Sequence, residues 1–137
     1  MLILGAKGQL GRDLTAVFSR DAQVMGVDMD VIDVADADAV ASALDQCTPK
    51  LVINAAAYTN VEGAEDDREG AFRVNETGAR NVARACAQRD IPLVHYSTDF
   101  VFGGTSDRPY EPDDPVAPNG VYAESKAAGD KAVAEEC

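Results

Sequence analysis

Met1-Leu2-Ile3-Leu4-Gly5-Ala6-Lys7-Gly8-Gln9-Leu10-Gly11 decides how the rest of the chain is read. A short apolar run meets three glycines at GxxGxxG spacing, and a helical pattern from Leu10 to Phe18 follows at once. A loop without Cβ atoms lets a pyrophosphate come close to the backbone. The free N–H groups and the positive end of the next helix then stabilise its charge. The third glycine, Gly11, suits close packing of helix on strand. An ordinary glycine-rich turn is the plain alternative, and the strand–loop–helix setting is what favours a dinucleotide site.

Outward from this loop, apolar runs alternate with helical patterns: Gln23 to Val27, Ala37 to Leu44 and Leu51 to Ala55 continue a βαβαβ order. Leu51-Val52-Ile53 and Leu93-Val94 have the continuous apolar character of parallel strands covered on both faces. Between them Ala71, Val74, Ala79, Val82 and Ala85 predict one long helix over Glu65 to Arg89. Right-handed crossovers then give a doubly wound α/β parallel sheet of Rossmann-like type. Pro109, Pro112, Asp113, Asp114, Pro115 and Pro118 predict a surface loop over Gly103 to Asn119. A last helix from Asn119 to Cys137 meets neither a capping glycine nor a returning strand, so residues 1–137 are expected to be one nucleotide-binding domain cut short at its C-terminus.

Composition narrows the partners. With 137 residues, 46% of them hydrophobic, the chain suits one domain with a continuous core. Asp and Glu number 24 against 12 Lys and Arg, and the formal charge of −12 repels phosphate backbones, so no nucleic-acid partner is expected. The same acidity suits a solubilising, salt-adapted surface. Cys47, Cys86 and Cys137 lie far apart and outside any zinc spacing, which predicts reduced thiols in a cytoplasmic protein. No apolar run approaches the roughly 18 residues of a membrane span, so no membrane partner is expected.

Asp28 stands 17 residues after Gly11, about where a carboxylate reaches the adenosine ribose hydroxyls. NADH is then feasible. Lys7 and Arg12 could instead meet a 2′-phosphate, so NADH and NADPH both stay open. Asp33 is either a second contact at the adenine edge or, with Asp30, Asp36 and Asp38, part of a solvated loop. Tyr122 and Lys126, four positions apart, project from one helical face. A free phenol loses its proton at roughly pH 10, and bringing it to neutrality needs about 4 kcal/mol of preferential phenolate stabilisation. A neighbouring ammonium and an oxidised nicotinamide act in that direction. Tyr122 would give its proton to a carbonyl oxygen as hydride reaches carbon. Alone, a YxxxK pair is common by chance. Downstream of a nucleotide loop and beside the hydroxyls of Tyr96, Ser97 and Thr98, it points to a reductase site. His95, in an apolar strand, fits a satisfied core histidine better than a catalytic one.

GAKGQLG at 5–11, VINAAAYTNVEGAE at 52–65, VNETGARN at 74–81, HYSTDFVFGG at 95–104 and VYAESKAAGDKAV at 121–133 together resemble the dTDP-4-dehydrorhamnose reductase family of extended short-chain dehydrogenases, over nearly the whole chain. The resemblance implies NAD(P)H-dependent reduction of a keto group on a nucleotide-sugar substrate, in nucleotide-sugar and polysaccharide biosynthesis. It implies Thr98 and Tyr122 as the proton-donating pair and Lys126 on the nicotinamide ribose. Gly8, Gln9 and Leu10 would line the pyrophosphate, with Gly5 and Gly11 also in the cofactor-binding loop, Asp28, Asp33 and Val34 the adenosine half, and Ala55, Ala56, Ala57 and Tyr96 the rest of the cofactor, while a C-terminal substrate region beyond residue 137 would cover the sugar. Thr98 and Asp99 would reach the sugar, and Asn75 resembles an asparagine used within the long helix. In related dehydratases an acid follows the Thr-Asp pair; Phe100 stands there here, which disfavours dehydration. Some relatives hold magnesium at a dimer contact with a carboxylate near Asp13, but one candidate ligand does not make a metal site. A homodimer stays open. So do another nucleotide-sugar reductase or epimerase, and a non-catalytic regulatory subunit like that of methionine adenosyltransferase.

Overall fold

The computed structural model describes residues 1–137. Four short strands, β1 (Leu2–Leu4), β2 (Met25–Val27), β3 (Val52–Asn54) and β4 (Leu93–His95), form one parallel sheet in the order β2-β1-β3-β4. Leu2 pairs with Met25 on one side and Val52 on the other, and Val52 pairs with Leu93. The chain leaves β1 in one direction across the sheet and returns past it to β3. Crossovers of one hand therefore put α1 (Gln9–Phe18) and α2 (Ala37–Cys47) on opposite faces, and the sheet is doubly wound. The reversal leaves a crevice between the C-terminal ends of β1 and β3, the place where open sheets of this kind take ligands.

The apolar runs of β1 and β3 are buried as the sequence predicts, with Ile3 and Val52 at 0% exposure. Leu2, Leu4, Val40, Leu44, Val52, Val82 and Cys86 form the main core against α2 and α5 (Ala79–Ala87). Each such Leu or Val contributes roughly 1.5–3 kcal/mol by leaving water. β4 pairs with β3 in parallel as expected, and over residues 1–137 Leu93 is half-buried and Val94 40% exposed. Helix α2 starts where Asp36 accepts from the N–H groups of Asp38 and Ala39, and ends at Thr48 in the left-handed region.

The single helix expected over Glu65 to Arg89 is instead four consecutive pieces: α3 (Val61–Asp66), α4 (Arg68–Phe72), a π-helical turn (Arg73–Gly78) and α5. The start of the run and one break within it have local causes. Asn60 caps α3 through the Gly63 N–H at 3.0 Å, and Asp67 interrupts the run to cap α4 through the Gly70 N–H at 3.0 Å. The π turn has a tertiary cause, because Asn75 within it serves partners on two other elements. Helix α6 (Val121–Glu136) packs on this whole assembly. It comes so close that a Cβ on Gly129 would stand 2.0 Å from the Asn75 carbonyl oxygen. Glu65 reaches across to accept from the Val121 N–H at 2.8 Å and so caps α6 from a distance.

The segment from Gly103 to Asn119 is irregular, as its prolines dictate, but it is organised. The Phe102 and Tyr110 rings stack with centroids 4.5 Å apart, and Arg108 grips Asp114 with two bonds of 2.9 and 2.7 Å. No helix is long and apolar enough to cross a membrane. All three cysteines are free thiols, and burial pushes that of Cys86 up to about 11.

Candidate active site

A crevice of about 610 Å³ opens at the C-terminal ends of β1, β3 and β4. Its first wall is the glycine loop, with Gly5, Gly8, Gln9 and Leu10 on the lining. Gly5 sits at φ +79°, and a Cβ there would fall 2.6 Å from the Ala56 nitrogen, so only glycine allows the loop to lie against the chain leaving β3. No side chain caps α1 behind Gly8, and its first turn carries no acidic residue, so its N–H groups remain for an anion. Gly11 lies beneath the loop rather than on the crevice; a Cβ there would be 2.1 Å from the Gly5 carbonyl oxygen. Its contribution is packing, and it is withdrawn from the set of direct cofactor contacts.

At one end the lining includes Asp28, Met29, Ile32, Asp33 and Val34. Asp28 accepts from the Lys7 and Met29 N–H groups at 2.8 and 2.9 Å. These bonds turn its carboxylate at the loop. Asp33 accepts from the Ala35 N–H at 2.9 Å and pairs with Arg73, and these two contacts hold its carboxyl below the usual carboxylate range. Arg73 arrives from the π turn, and no local signal in the sequence announces this cation beside Asp33. Lys7 pairs at 2.6 Å with Asp30 on the exposed rim.

Asn54, Ala55, Ala56 and Ala57 form the floor. The Ala55 N–H donates to Leu4 at 3.0 Å and the Ala56 N–H to the Asn54 side chain at 3.2 Å, so the floor is fixed to the sheet. Methyl side chains leave room above it. Tyr58 and Thr59 extend the lining, and Asn75 holds Tyr58: its Oδ1 accepts from the Tyr58 N–H at 2.8 Å, while its Nδ2 donates to the Tyr58 carbonyl at 3.1 Å and to Ser125 Oγ at 2.9 Å.

Tyr96, Ser97, Tyr122 and Lys126 make the opposite wall. Lys126 is 3% exposed, and its ammonium donates to the Tyr96 carbonyl at 2.6 Å. Burial pulls its pKa down, and Asp130 opposes that shift. The Tyr122 ring meets the edge of Phe100 with centroids 5.6 Å apart. Thr98 and Asp99 are not on the lining. The Thr98 hydroxyl accepts from the Phe100 N–H at 3.3 Å and donates to Asp99 at the same distance, closing a 3-10 turn (Asp99–Val101). Ser97 takes the place on the wall that the sequence assigns to Thr98. His95 lies behind the wall with its side chain 9% exposed, buried as its strand position predicts but not fully satisfied, since its Nε2 makes no hydrogen bond.

A doubly wound parallel sheet with a glycine loop at its reversal point, faced by a Tyr-x-x-x-Lys helix, places the chain in the Rossmann-like class of folds. Within that class the chain belongs to the family described as RmlD substrate binding domain, which matches residues 1–137. A dTDP-4-dehydrorhamnose reductase of Mycobacterium tuberculosis is 46% identical over 97% of this chain and 45% of its own length. The crystal structure of a dTDP-4-dehydrorhamnose reductase of Bacillus anthracis in complex with NADP superposes with a TM-score of 0.95 at 35% identity, over 98% of this chain and 48% of that one. A dTDP-4-dehydrorhamnose reductase of Clostridium acetobutylicum gives a TM-score of 0.95 at 32% identity, over 98% and 49%. The chain thus spans about half the length of the relatives it matches.

Proposed function

We propose that this chain is the cofactor-binding part of a reductase that converts dTDP-4-dehydro-L-rhamnose to dTDP-L-rhamnose with NADPH or NADH. The observation that carries the proposal is the meeting of Tyr122 and Lys126 with the Gly5–Leu10 loop on one crevice. The NADP complex of the Bacillus anthracis relative supports the cofactor class. The cradle also fits a dinucleotide: Gly5 and Gly8 keep the backbone open, α1 presents uncapped N–H groups, and three alanines floor the space. Gly8, Gln9 and Leu10 would hold the pyrophosphate, Asp28 the adenosine ribose, and Tyr96 and Lys126 the nicotinamide half. The bound cofactor supplies a hydride.

Lys126 contributes a cation fixed in a dry wall and aimed by the Tyr96 carbonyl. Tyr122, on the same helical face, donates its phenolic proton to the keto oxygen, so hydride and proton together turn the ketone into a secondary alcohol. Thr98 would join as a proton-donating or sugar-holding group only if its hydroxyl leaves the Asp99 turn when substrate enters, and Asp99 would reach the sugar with it. Phe100, seated on Tyr122, puts an apolar edge where a dehydratase needs an acid.

The test is turnover by the protein at its full natural length with dTDP-4-dehydro-L-rhamnose and NADPH, with the product characterised by mass and NMR. The expected result is one cofactor oxidised per dTDP-L-rhamnose formed. Tyr122→Phe should lower kcat by roughly 10²–10⁴-fold with little change in cofactor affinity, since it deletes a group that acts in the transition state. Bound cofactor without oxidation in the wild type, or an epimerised product, would overturn the assignment.

A further inference from the structure

Behind the Tyr122–Lys126 wall lies a polar chain that the proposed reaction does not yet use. The Ala56 N–H on the crevice floor donates to Asn54 Oδ1 at 3.2 Å, which leaves the Asn54 amide nitrogen to face His95 Nδ1 at 3.3 Å. Nδ1 is therefore the acceptor, and the ring proton sits on Nε2. That nitrogen lies 3.4 Å from Asp130 Oδ1, a loose contact, and both atoms are shut off from water with no other partner. Ser97 donates to Asp130 Oδ2. Asp130 stands one helical turn beyond Lys126 on α6, so the carboxylate that Ser97 and His95 hold is presented on the side of the helix that carries the lysine.

We propose that Asp130 is a positioning residue: clamped by Ser97 and His95, its carboxylate keeps the Lys126 ammonium charged inside the wall of the crevice. The inference rests on the reductase function proposed above, in which Lys126 must act as a cation. Burial works against that charge, and Asp130 is the group that works for it. It makes no direct ion pair with Lys126 and acts through space. Among the charges on the elements packed against α6, Glu62 and Asp66 of α3 and Glu69 of α4 form no ion pair, and the others are engaged elsewhere. Glu65 of α3 caps Val121, Arg68 of α4 pairs with Glu124, and Arg73 of the π turn pairs with Asp33. Arg80 and Arg84 of α5 take up Glu76, Glu135 and Glu136, and Asp99 accepts from Thr98. Tyr96, Tyr122 and His95 are the remaining titratable neighbours on the wall or behind it. Asp130 itself stays ionised despite its burial, because His95, Ser97 and Lys126 hold its carboxyl below the usual range.

The experiment is a pH titration of lysine ε-¹³C resonances in the full-length protein, with Lys126 assigned by the signal lost in Lys126→Arg. In Asp130→Asn, Lys126 should lose its proton about one pH unit lower than in the wild type. Asp130→Glu should restore most of the shift, and Ser97→Ala, which keeps the carboxylate but frees one side of it, should move Lys126 less in the same direction. In turnover, Asp130→Asn should shift the alkaline fall of kcat by a matching amount, whereas a purely structural role would lower activity at every pH alike. Identical Lys126 titrations in the wild type, Asp130→Asn and Ser97→Ala would overturn the proposal. The resonance readout needs no turnover, so a wild type that fails to reduce the sugar would sink the proposed function while leaving this coupling separately decided.

Discussion

Gly8 and Gly11 belong to one motif but meet different neighbours. A Cβ on Gly8 would stand 3.2 Å from the Gly5 carbonyl oxygen, a tight contact that a small shift relieves, and the residue borders the crevice. A Cβ on Gly11 would stand 2.1 Å from the same oxygen and 2.7 Å from the Ala6 Cα, within backbone that cannot move without dragging α1 off β1. Gly8→Val is therefore expected to leave the melting temperature near the wild-type value and to weaken NADPH binding by about tenfold or more, by obstructing an approaching pyrophosphate. Gly11→Val is expected to cost about 3 kcal/mol of stability whether or not cofactor is added. Calorimetric titration and thermal melts separate the two, and a Gly8→Val protein with unchanged affinity would contradict the role given to the loop. The glycines, Asp28, Tyr122 and Lys126 are legible in the sequence because spacing along one strand, loop or helix carries their meaning. Ser97, Arg73 and Asp130 are not. Ser97 lies 33 positions from Asp130, and Arg73 lies 40 from Asp33, so their pairing exists only after the sheet and α6 have come together.

The interrupted helical run from α3 to α5 shows the same limit for elements. Of Ala71, Val74, Ala79, Val82 and Ala85, which set the apolar spacing, four residues are buried on the core, whereas Val74, in the π turn, is only partly buried and borders the crevice. What the spacing hides is the π turn at Arg73–Gly78, because its occupant Asn75 answers to Tyr58 and Ser125, 17 and 50 positions away. Extra helical turns of this kind recur at functional sites, where they re-aim a side chain. Here the displaced asparagine ties the crevice floor to the helix that carries Tyr122 and Lys126. Asn75→Ala would strand the Tyr58 N–H and carbonyl without partners, and an unsatisfied buried group costs about 1–3 kcal/mol. The variant should lose stability of that order in chemical denaturation, with a larger fall in kcat than in cofactor affinity as α6 loses its register against the floor. Stability equal to the wild type would show that water or a neighbour replaces the amide and that the tie is dispensable.

For the whole molecule, the parallel order β2-β1-β3-β4 sets everything else in place. It puts the glycine loop after β1, the alanine floor after β3 and the Tyr96–Ser97 wall after β4 side by side, and α6 returns across them with its phenol and ammonium. The βαβαβ order in the sequence is enough to derive this layout, since crossovers of one hand leave few alternatives. Every role given above depends on one crevice that joins the α1 loop to the Tyr122–Lys126 wall around a single dinucleotide. Titrating NADPH into the isotope-labelled protein while following backbone amide shifts tests it most directly. Gly8, Gln9, Leu10, Ala56, Tyr96 and Lys126 are expected to shift along one saturation curve. Shifts confined to the loop with the Tyr122–Lys126 wall unmoved, or shifts centred elsewhere on the sheet, would contradict it.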